Sequence, residues 1–274
     1  MSRDDFAFIA RLLKERSGLV VTAERSYLLE SRLLPVAAKR GLPSVARLAA
    51  ALRRGDDATL ARDIVEAMTT NESFFFRDIK PFDQFRSIIL PQLLRARAAT
   101  RRLRIWSAAC AAGQEPYSLA MILADEAERL AGWHVTLMAS DISGEIVTRA
   151  EAGSYNQFEV RRGLPLRYLV RYFDPDGERW QLKPELRRMV QFRTVNLLDE
   201  LGGLGRFDAI FCRNVLLYFD GPTKGSILQR LAAMLPPDGF LCLGGAETTL
   251  GVSDRFDAVP DQRGLYRPAA RVSA

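Results

Sequence analysis

The residues best placed to do chemistry lie in LRIWSAACAAGQEPYSLAMIL, from Leu103 to Leu123. An apolar run of strand character leads into Ala108-Ala109-Cys110-Ala111-Ala112-Gly113, and Pro116 then opens a helical pattern. Small side chains at the carboxyl end of a strand let a ligand approach the backbone. That crevice, at the switch point of an open parallel sheet, is where such folds bind nucleotides. A tight strand-to-helix turn needs the same residues, so the loop alone leaves both readings open. The next strand pattern, HVTLMASDIS, ends at Asp141. An acid there suits the two hydroxyls of a ribose; the alternative is an N-cap for the following helix. The chain has no GxGxxG and no GxxxxGK[ST], and His134 is its only histidine. Pyrophosphate binding and a metal cluster therefore have no support. A nucleoside carried without phosphates fits better, S-adenosylmethionine being one.

These residues need elements to hold them. From Phe82 onward helical and strand patterns alternate, which predicts an α/β sheet domain. The expected order is helix 82–97, strand 103–108, helix 116–130, strand 134–140 and helix 143–152. After an interruption come strand 207–212, helix 221–234 and strand 239–244. The interruption, Gly153 to Thr194, is rich in Arg and aromatics and carries a turn-like DPDG at Asp174 to Gly177. It reads as an insertion of mixed structure at one sheet edge. Residues 1 to 68 show four helical patterns and few strand signals, with 12 basic against 9 acidic side chains. The first helix closes at Ser17-Gly18, and the tail RPAARVSA is expected to fray. The predicted division is a helical domain over 1–70 and a catalytic domain over 71–274, the inserted subdomain occupying about 153–194.

Composition excludes several classes. A hydrophobic fraction of 48% with 26% charged residues is too apolar for a disordered chain. Three cysteines, Cys110, Cys212 and Cys242, make no disulfide framework and suit a reducing compartment. All three lie in apolar contexts and read as buried fillers. The amphipathic N-terminus does not read as a signal peptide. The longest weakly charged stretch is broken by Gly113, Gln114, Glu115 and Pro116, so no membrane insertion is expected. A net charge of +6 permits an acidic partner without naming it. No long exposed apolar heptad appears, and a monomer is expected.

Taken together, TTNESFFFRD, WSAACAAGQEPYS, ASDIS, NLLD, FDAIFCRNVLLYFD and LPPDGFLCLGGAE strongly resemble the CheR family of chemotaxis receptor methyltransferases. The resemblance covers nearly the whole chain, and the order and spacing of the six motifs make it specific. It implies a class I S-adenosylmethionine-dependent methyltransferase fold, Rossmann-like with a mostly parallel sheet, an N-terminal all-α domain and a small β-rich insertion. It also implies transfer of the methyl group of S-adenosylmethionine to receptor glutamates in chemotaxis adaptation, forming γ-glutamyl methyl esters and S-adenosylhomocysteine. The implied partner is the helical cytoplasmic methylation region of chemoreceptors. The implied location is cytoplasmic, transiently at membrane receptor arrays.

Carried over residue by residue, the resemblance puts Asn71, Ser73 and Arg77 over the cofactor. The Arg77 fork suits a methionyl carboxylate. Glu115 and Asp141 match the family's two acids. Asn196 and Leu197 should flank the adenine, and Arg213, Asn214 and Tyr218 should line the methyl-transfer site, with Tyr218 and Arg213 the catalytic candidates. Each also has a plainer reading. Arg77 can be a surface charge, Glu115 a favourable first-turn acid, Asn196 a turn cap and Tyr218 a packing residue. Phe74 to Phe76 read as core anchors. Arg32, Lys39, Arg40, Arg53 and Arg54 are candidates for docking acidic receptor helices.

Some members of the family use the insertion to tether a receptor's C-terminal peptide through a longer, glycine-containing loop. Here FDPDGERWQL is short with one glycine, Gly177, so methylation independent of tethering is expected. The alternatives are a methyltransferase acting on nucleic acid or a small molecule, with the Arg cluster 95–104 and the basic insertion facing RNA, and a non-catalytic signalling adaptor. The absence of an aromatic-interleaved RNA module and of an NPPY-like motif counts against nucleic acid.

Overall fold

A computed structural model describes residues 1–55 and 58–270. Four helices come first: α1 (Arg3–Ser17), α2 (Ser26–Lys39), α3 (Val45–Arg54) and α4 (Ala58–Met68). Ser2 caps α1 in a reciprocal box with Asp5, and Gly18, at φ 76°, ends it. Ile9, Leu13, Leu29, Leu33, Leu48 and Ile64 recur at helical spacing and fill a core belonging to these helices.

A linker leads to α5 (Lys80–Gln84), a π-turn (Phe85–Ile89) and α6 (Leu90–Ala96), one helical stretch where helix 82–97 was expected. Then follow β1 (Arg102–Ala108), α7 (Gln114–Asp125), β2 (His134–Asp141) and α8 (Gly144–Ala152). The inserted region contains β3 (Ser154–Asn156), α9 (Gln157–Arg161), α10 (Leu166–Tyr172), β4 (Phe173–Asp176), β5 (Arg179–Leu182) and α11 (Pro184–Arg187). The chain closes with β6 (Val190–Thr194), β7 (Ala209–Cys212), α12 (Gly221–Met234), β8 (Phe240–Leu243), β9 (Phe256–Ala258) and β10 (Leu265–Pro268).

Seven strands form the main sheet in the order β6-β2-β1-β7-β8-β10-β9, and β3-β5-β4 form a small antiparallel sheet. The first five strands of the large sheet run parallel, while β10 is antiparallel to both of its neighbours. This is a Rossmann-like, class I methyltransferase arrangement. Pleating explains its two cores. Leu103 and Ile105 of β1, Phe211 of β7 and Phe240 of β8 face one cluster, whereas Trp106, Ile210 and Leu241 face the other. Because β1 pairs with β2 on one side and β7 on the other, the strand order reverses at β1. The crevice opens there.

Three expectations need correction. The segment VQFRT is β6, the edge strand pairing with β2, so it belongs to the main sheet and the inserted structure ends before it. Its burial is weak past Val190, which hid it. Helix α7 stops at Asp125, short of residue 130. The tail does not fray from its start, since Arg267 and Pro268 pair with β9; residues 271–274 lie outside the described residues.

Candidate functional site

The loop after β1 is built by backbone in unusual conformations. Ala109, Ala111 and Gly113 have φ of 54°, 49° and 91°. Two of the three are not glycine, so surrounding contacts must hold the strain. Cys110 N donates to Ser140 O at 2.9 Å, and Ala111 N donates to Asp141 Oδ2 at 3.0 Å. At Gly113 a Cβ would meet Ala150, Tyr117 and Tyr155 at 3.1–3.2 Å, and with φ at 91° any other residue would be strained there.

Asp141 ends β2 only 6% exposed. Its Oδ1 also accepts from Ser143 N at 3.2 Å. Burial pushes its carboxyl above the ordinary range, against the backbone donors that favour the ionised form. The cap of α8 is Ser143 and not Asp141, the Ser143 hydroxyl accepting from Ile146 N. Asp141 instead fastens the loop and lines the cleft.

Arg213 follows β7 with its side chain 1% exposed. Nη1 donates to Glu115 Oε2 at 2.7 Å, and Nη2 donates to Asp78 Oδ2 and to Arg77 O, each at 2.8 Å. Ser107 Oγ donates to Glu115 Oε1 at 2.8 Å. Glu115 at the start of α7 is thus held by two donors, and the Arg213 fork ties strand β7 to α7 and to the linker. The guanidinium is committed within the protein, which removes the simplest form of a substrate-gripping Arg213.

The linker carries its own strain, with Phe76, Asp78 and Ile79 all at φ between 51° and 68°. Phe75 is fully buried against Tyr155 and Phe173, and Phe76 stacks on Tyr168 at 5.3 Å. These rings fix the segment, leaving Arg77 to line the cleft with a donation to Glu72 O at 2.9 Å. Asn71 Nδ2 donates to Thr69 Oγ1, and Ser73 also lines the cleft.

Asn196 fills its plainer role and one more. Its Oδ1 accepts from Leu198 N at 3.1 Å, while Nδ2 donates to Arg16 O at 2.7 Å, reaching the helical domain. Leu197 is buried beside it. Asn214 sits at φ 58°, and Tyr218 ends the short 3-10 turn Leu216–Tyr218, its carbonyl accepting from Val20 N at 3.1 Å.

All ten candidates, Asn71, Ser73, Arg77, Glu115, Asp141, Asn196, Leu197, Arg213, Asn214 and Tyr218, line one cleft. Ser17 and Leu19 of the helical domain complete it, with Ile142, Val195 and Val215 as apolar wall. Sequence reasoning missed these wall residues, because single apolar residues beside a motif carry no signal of their own. It also missed Glu247, whose carboxylate accepts from Asn214 N and Gly244 N; the quoted LGGAE contained it without marking a role.

Among the described residues no cluster of three or more potential metal ligands occurs, and no helix is long and apolar enough to cross a membrane. Of the proposed docking cations, Arg32 donates to Met68 O, Thr69 O and Thr70. Arg40 pairs with Asp63, and Arg53 pairs with Asp5 over the Phe8 ring. That part of the docking face is therefore spent inside the bundle.

Residues 71–265 match the family model described as CheR methyltransferase, SAM binding domain, and residues 4–69 match CheR methyltransferase, all-alpha domain. The chain is 41% identical over 273 residues to chemotaxis protein methyltransferase 1 of Pseudomonas aeruginosa, covering 96% of this chain and 97% of that one. It is 38% identical over 270 residues to chemotaxis protein methyltransferase Cher2 of Pseudomonas putida, covering 97% and 98%. With family models spanning both the helical bundle and the domain around the cleft, the chain belongs to the CheR methyltransferase family, S-adenosylmethionine-dependent methyltransferases of chemotaxis.

Proposed function

We propose that this protein methylates glutamate side chains in the helical cytoplasmic methylation region of chemoreceptors. The observation that carries this reading is that no general base stands unengaged among the described residues of the cleft, where the lining acid Glu72 pairs with Arg162 at 2.9 Å. Its one thiol, Cys110, is 1% exposed and pushed well up by burial, and His134 stands exposed at the opposite end of β2. Glu115 is held by Arg213 and Ser107, and Asp141 by backbone N–H groups. An amine nucleophile would need such a base. A glutamate with a pKa of about 4.3 is already ionised at neutral pH and needs none.

The residues present suit the cofactor. Asp141 brings a buried carboxylate to the end of β2, where ribose hydroxyls are held in such folds. The small loop from Ala109 to Ala111 admits a ligand to the backbone, and Ile142, Val195 and Leu197 offer apolar surface for a base. Arg77 presents a fork to a carboxylate, with Asn71 and Ser73 beside it. S-adenosylmethionine supplies the methyl group as an electrophile on a sulfonium, and a γ-glutamyl methyl ester and S-adenosylhomocysteine are the products.

The work left to the protein is positioning, with reacting atoms about 3–3.5 Å apart in line. Tyr218 is the catalytic residue in this reading: its hydroxyl orients the substrate carboxylate through one neutral hydrogen bond. A cation gripping that carboxylate would stabilise the ground state more than a transition state in which the negative charge is being consumed. Arg213, turned toward Glu115 and Asp78, acts as a positioning residue.

Lys39 and Arg54, both exposed, are the cations left for acidic receptor helices, an attraction that weakens as salt rises. The short β4–β5 turn, with Gly177 at φ 59°, supports methylation without a tethered receptor peptide. The nucleic-acid alternative keeps only part of its surface, Arg95, Arg101 and Arg102 remaining exposed. Arg97 is bound to Asp208 and Asp238, and Arg104 to Leu204 O and Arg206 O while stacked on Phe207.

The test is transfer of radiolabelled methyl from S-adenosylmethionine to chemoreceptor-containing membranes, read as methanol released by alkali. Alkali-labile label that falls sharply in Tyr218→Phe is the expected outcome. Label that resists alkali would place the methyl on nitrogen or another stable acceptor and overturn the proposal.

A further inference from the structure

Glu247 lies outside the cleft, yet its carboxylate is built into the loop that forms one wall. It follows β8 in the turn Gly244–Glu247 and is only 9% exposed. Oε2 accepts from Asn214 N at 2.8 Å and from Gly244 N at 2.7 Å, and Oε1 accepts from Leu217 N at 3.3 Å. Each of these donors is a backbone N–H group, and two of them belong to the segment running from Asn214 to Tyr218. That segment needs holding, because Asn214 sits at φ 58° and the 3-10 turn after it is a single turn.

Gly244 makes the approach possible. A Cβ there would lie 2.7 Å from Glu247 Oε2, 2.8 Å from Asn214 Nδ2 and 2.9 Å from Asn214 N. The glycine and the acid therefore work as a pair, one leaving the space and the other filling it with charge. On the opposite side, the adjacent Arg213 is anchored through its side chain to Glu115. The loop is thus held by two buried acids, Glu247 through the loop backbone and Glu115 through the Arg213 side chain.

We propose that Glu247 is a positioning residue for methyl transfer, acting through the backbone to fix where the Tyr218 hydroxyl points. The role rests on the reading of Tyr218 as the residue that orients the substrate carboxylate. A carboxylate is suited to the task because it accepts from three N–H groups without offering a donor. Glutamine at 247 keeps the size and one acceptor oxygen but must turn an NH2 toward one of those donors. If its oxygen stays on Asn214 N and Gly244 N, the hydrogen bond from Leu217 N, the donor nearest Tyr218, is broken. The predicted signature is a lower kcat at a nearly unchanged cofactor affinity.

A double-mutant cycle tests it, using the full-length protein, S-adenosylmethionine and chemoreceptor-containing membranes. Glu247→Gln is expected to lower kcat about ten-fold, the size of one charge-assisted hydrogen bond. Calorimetric binding of S-adenosylmethionine should stay close to that of the unaltered protein, while thermal unfolding shifts down by only a few degrees. Tyr218→Phe should then cost much less in the Glu247→Gln background than alone, since a misplaced hydroxyl has little left to lose. Costs that multiply independently would overturn the inference while leaving Tyr218 its role. An unchanged kcat in Glu247→Gln would overturn it outright, as would a loss of cofactor binding parallel to the loss of rate. A silent Tyr218→Phe would bring down the reading of Tyr218 and the route through it. Gly244→Ala, which crowds the same carboxylate from the other side, should reproduce the kcat loss if the clamp is what matters.

Discussion

Asp141 shows how a single side chain carries both a cost and a use. Burial, with a smaller push from the Glu66 charge, raises its pKa, so its ionised form opposes folding above that value and the opposition fades as pH falls. Cofactor binding runs the other way. The ionised carboxylate is the form that accepts from the backbone and, in the proposed role, from ribose hydroxyls. Affinity for S-adenosylmethionine should therefore weaken as pH drops through the raised pKa, at a higher pH than a free aspartate would show. Calorimetric titration from neutral to mildly acidic pH checks this, with Asp141→Asn expected to bind weakly and without that inflection. An inflection persisting in Asp141→Asn would assign it to another group. The sequence made Asp141 legible because an acid ending the second strand has few plain roles, and its rival role is filled by Ser143. It did not make Glu247 legible. An acid in a turn near the C-terminal end looks like any solvated charge until the fold brings Asn214 N beside it.

The elements that meet at the cleft are joined by the Arg213 fork, linking β7, α7 and the strained linker. Removing a partner from a buried pair leaves an uncompensated charge, here Glu115 with only Ser107 remaining. Arg213→Met should cost about 3–5 kcal/mol of stability. Urea unfolding monitored by far-UV circular dichroism measures it, and a change under about 1 kcal/mol would show the pair to be marginal. The alternation of helix and strand was readable because β7 and β8 are continuous apolar runs and β1 and β2 become buried toward their carboxyl ends, as central parallel strands do. VQFRT escaped notice for the converse reason. An edge strand buried only at Val190 has no such run, and its place beside β2 is set by tertiary pairing. The C-terminal strands β9 and β10 are only three and four residues long, too short for a period to show.

At the scale of the whole molecule, the helical domain is part of the site. Asn196 reaches Arg16 O, Val20 N reaches Tyr218 O, Lys14 pairs with Asp220 at 2.7 Å, and Glu66 accepts from Gly144 N at 3.0 Å. Gly18, needed for the left-handed turn that ends α1, also lies where a Cβ would be 3.0 Å from the Phe219 ring. The sequence marked Ser17-Gly18 as a helix stop but held no sign that the stop seats against the wall of the cleft. A basic face on the bundle was likewise readable as charge, while its internal ion pairs were not, since Asp5 and Asp63 stand far along the chain from Arg53 and Arg40. In the proposed reading, the assembled molecule presents a cleft that positions a carboxylate, with its lining acids Glu72, Glu115 and Asp141 each held by another group.

The most direct test of that claim is to identify the methylated residue itself, by tandem mass spectrometry of receptor peptides after reaction with S-adenosylmethionine. Methyl esters on glutamate side chains within the receptor's cytoplasmic helices are the expected result, much reduced when Tyr218 is Phe. Methyl groups on lysine, asparagine or a backbone amine, with glutamate untouched, would contradict it.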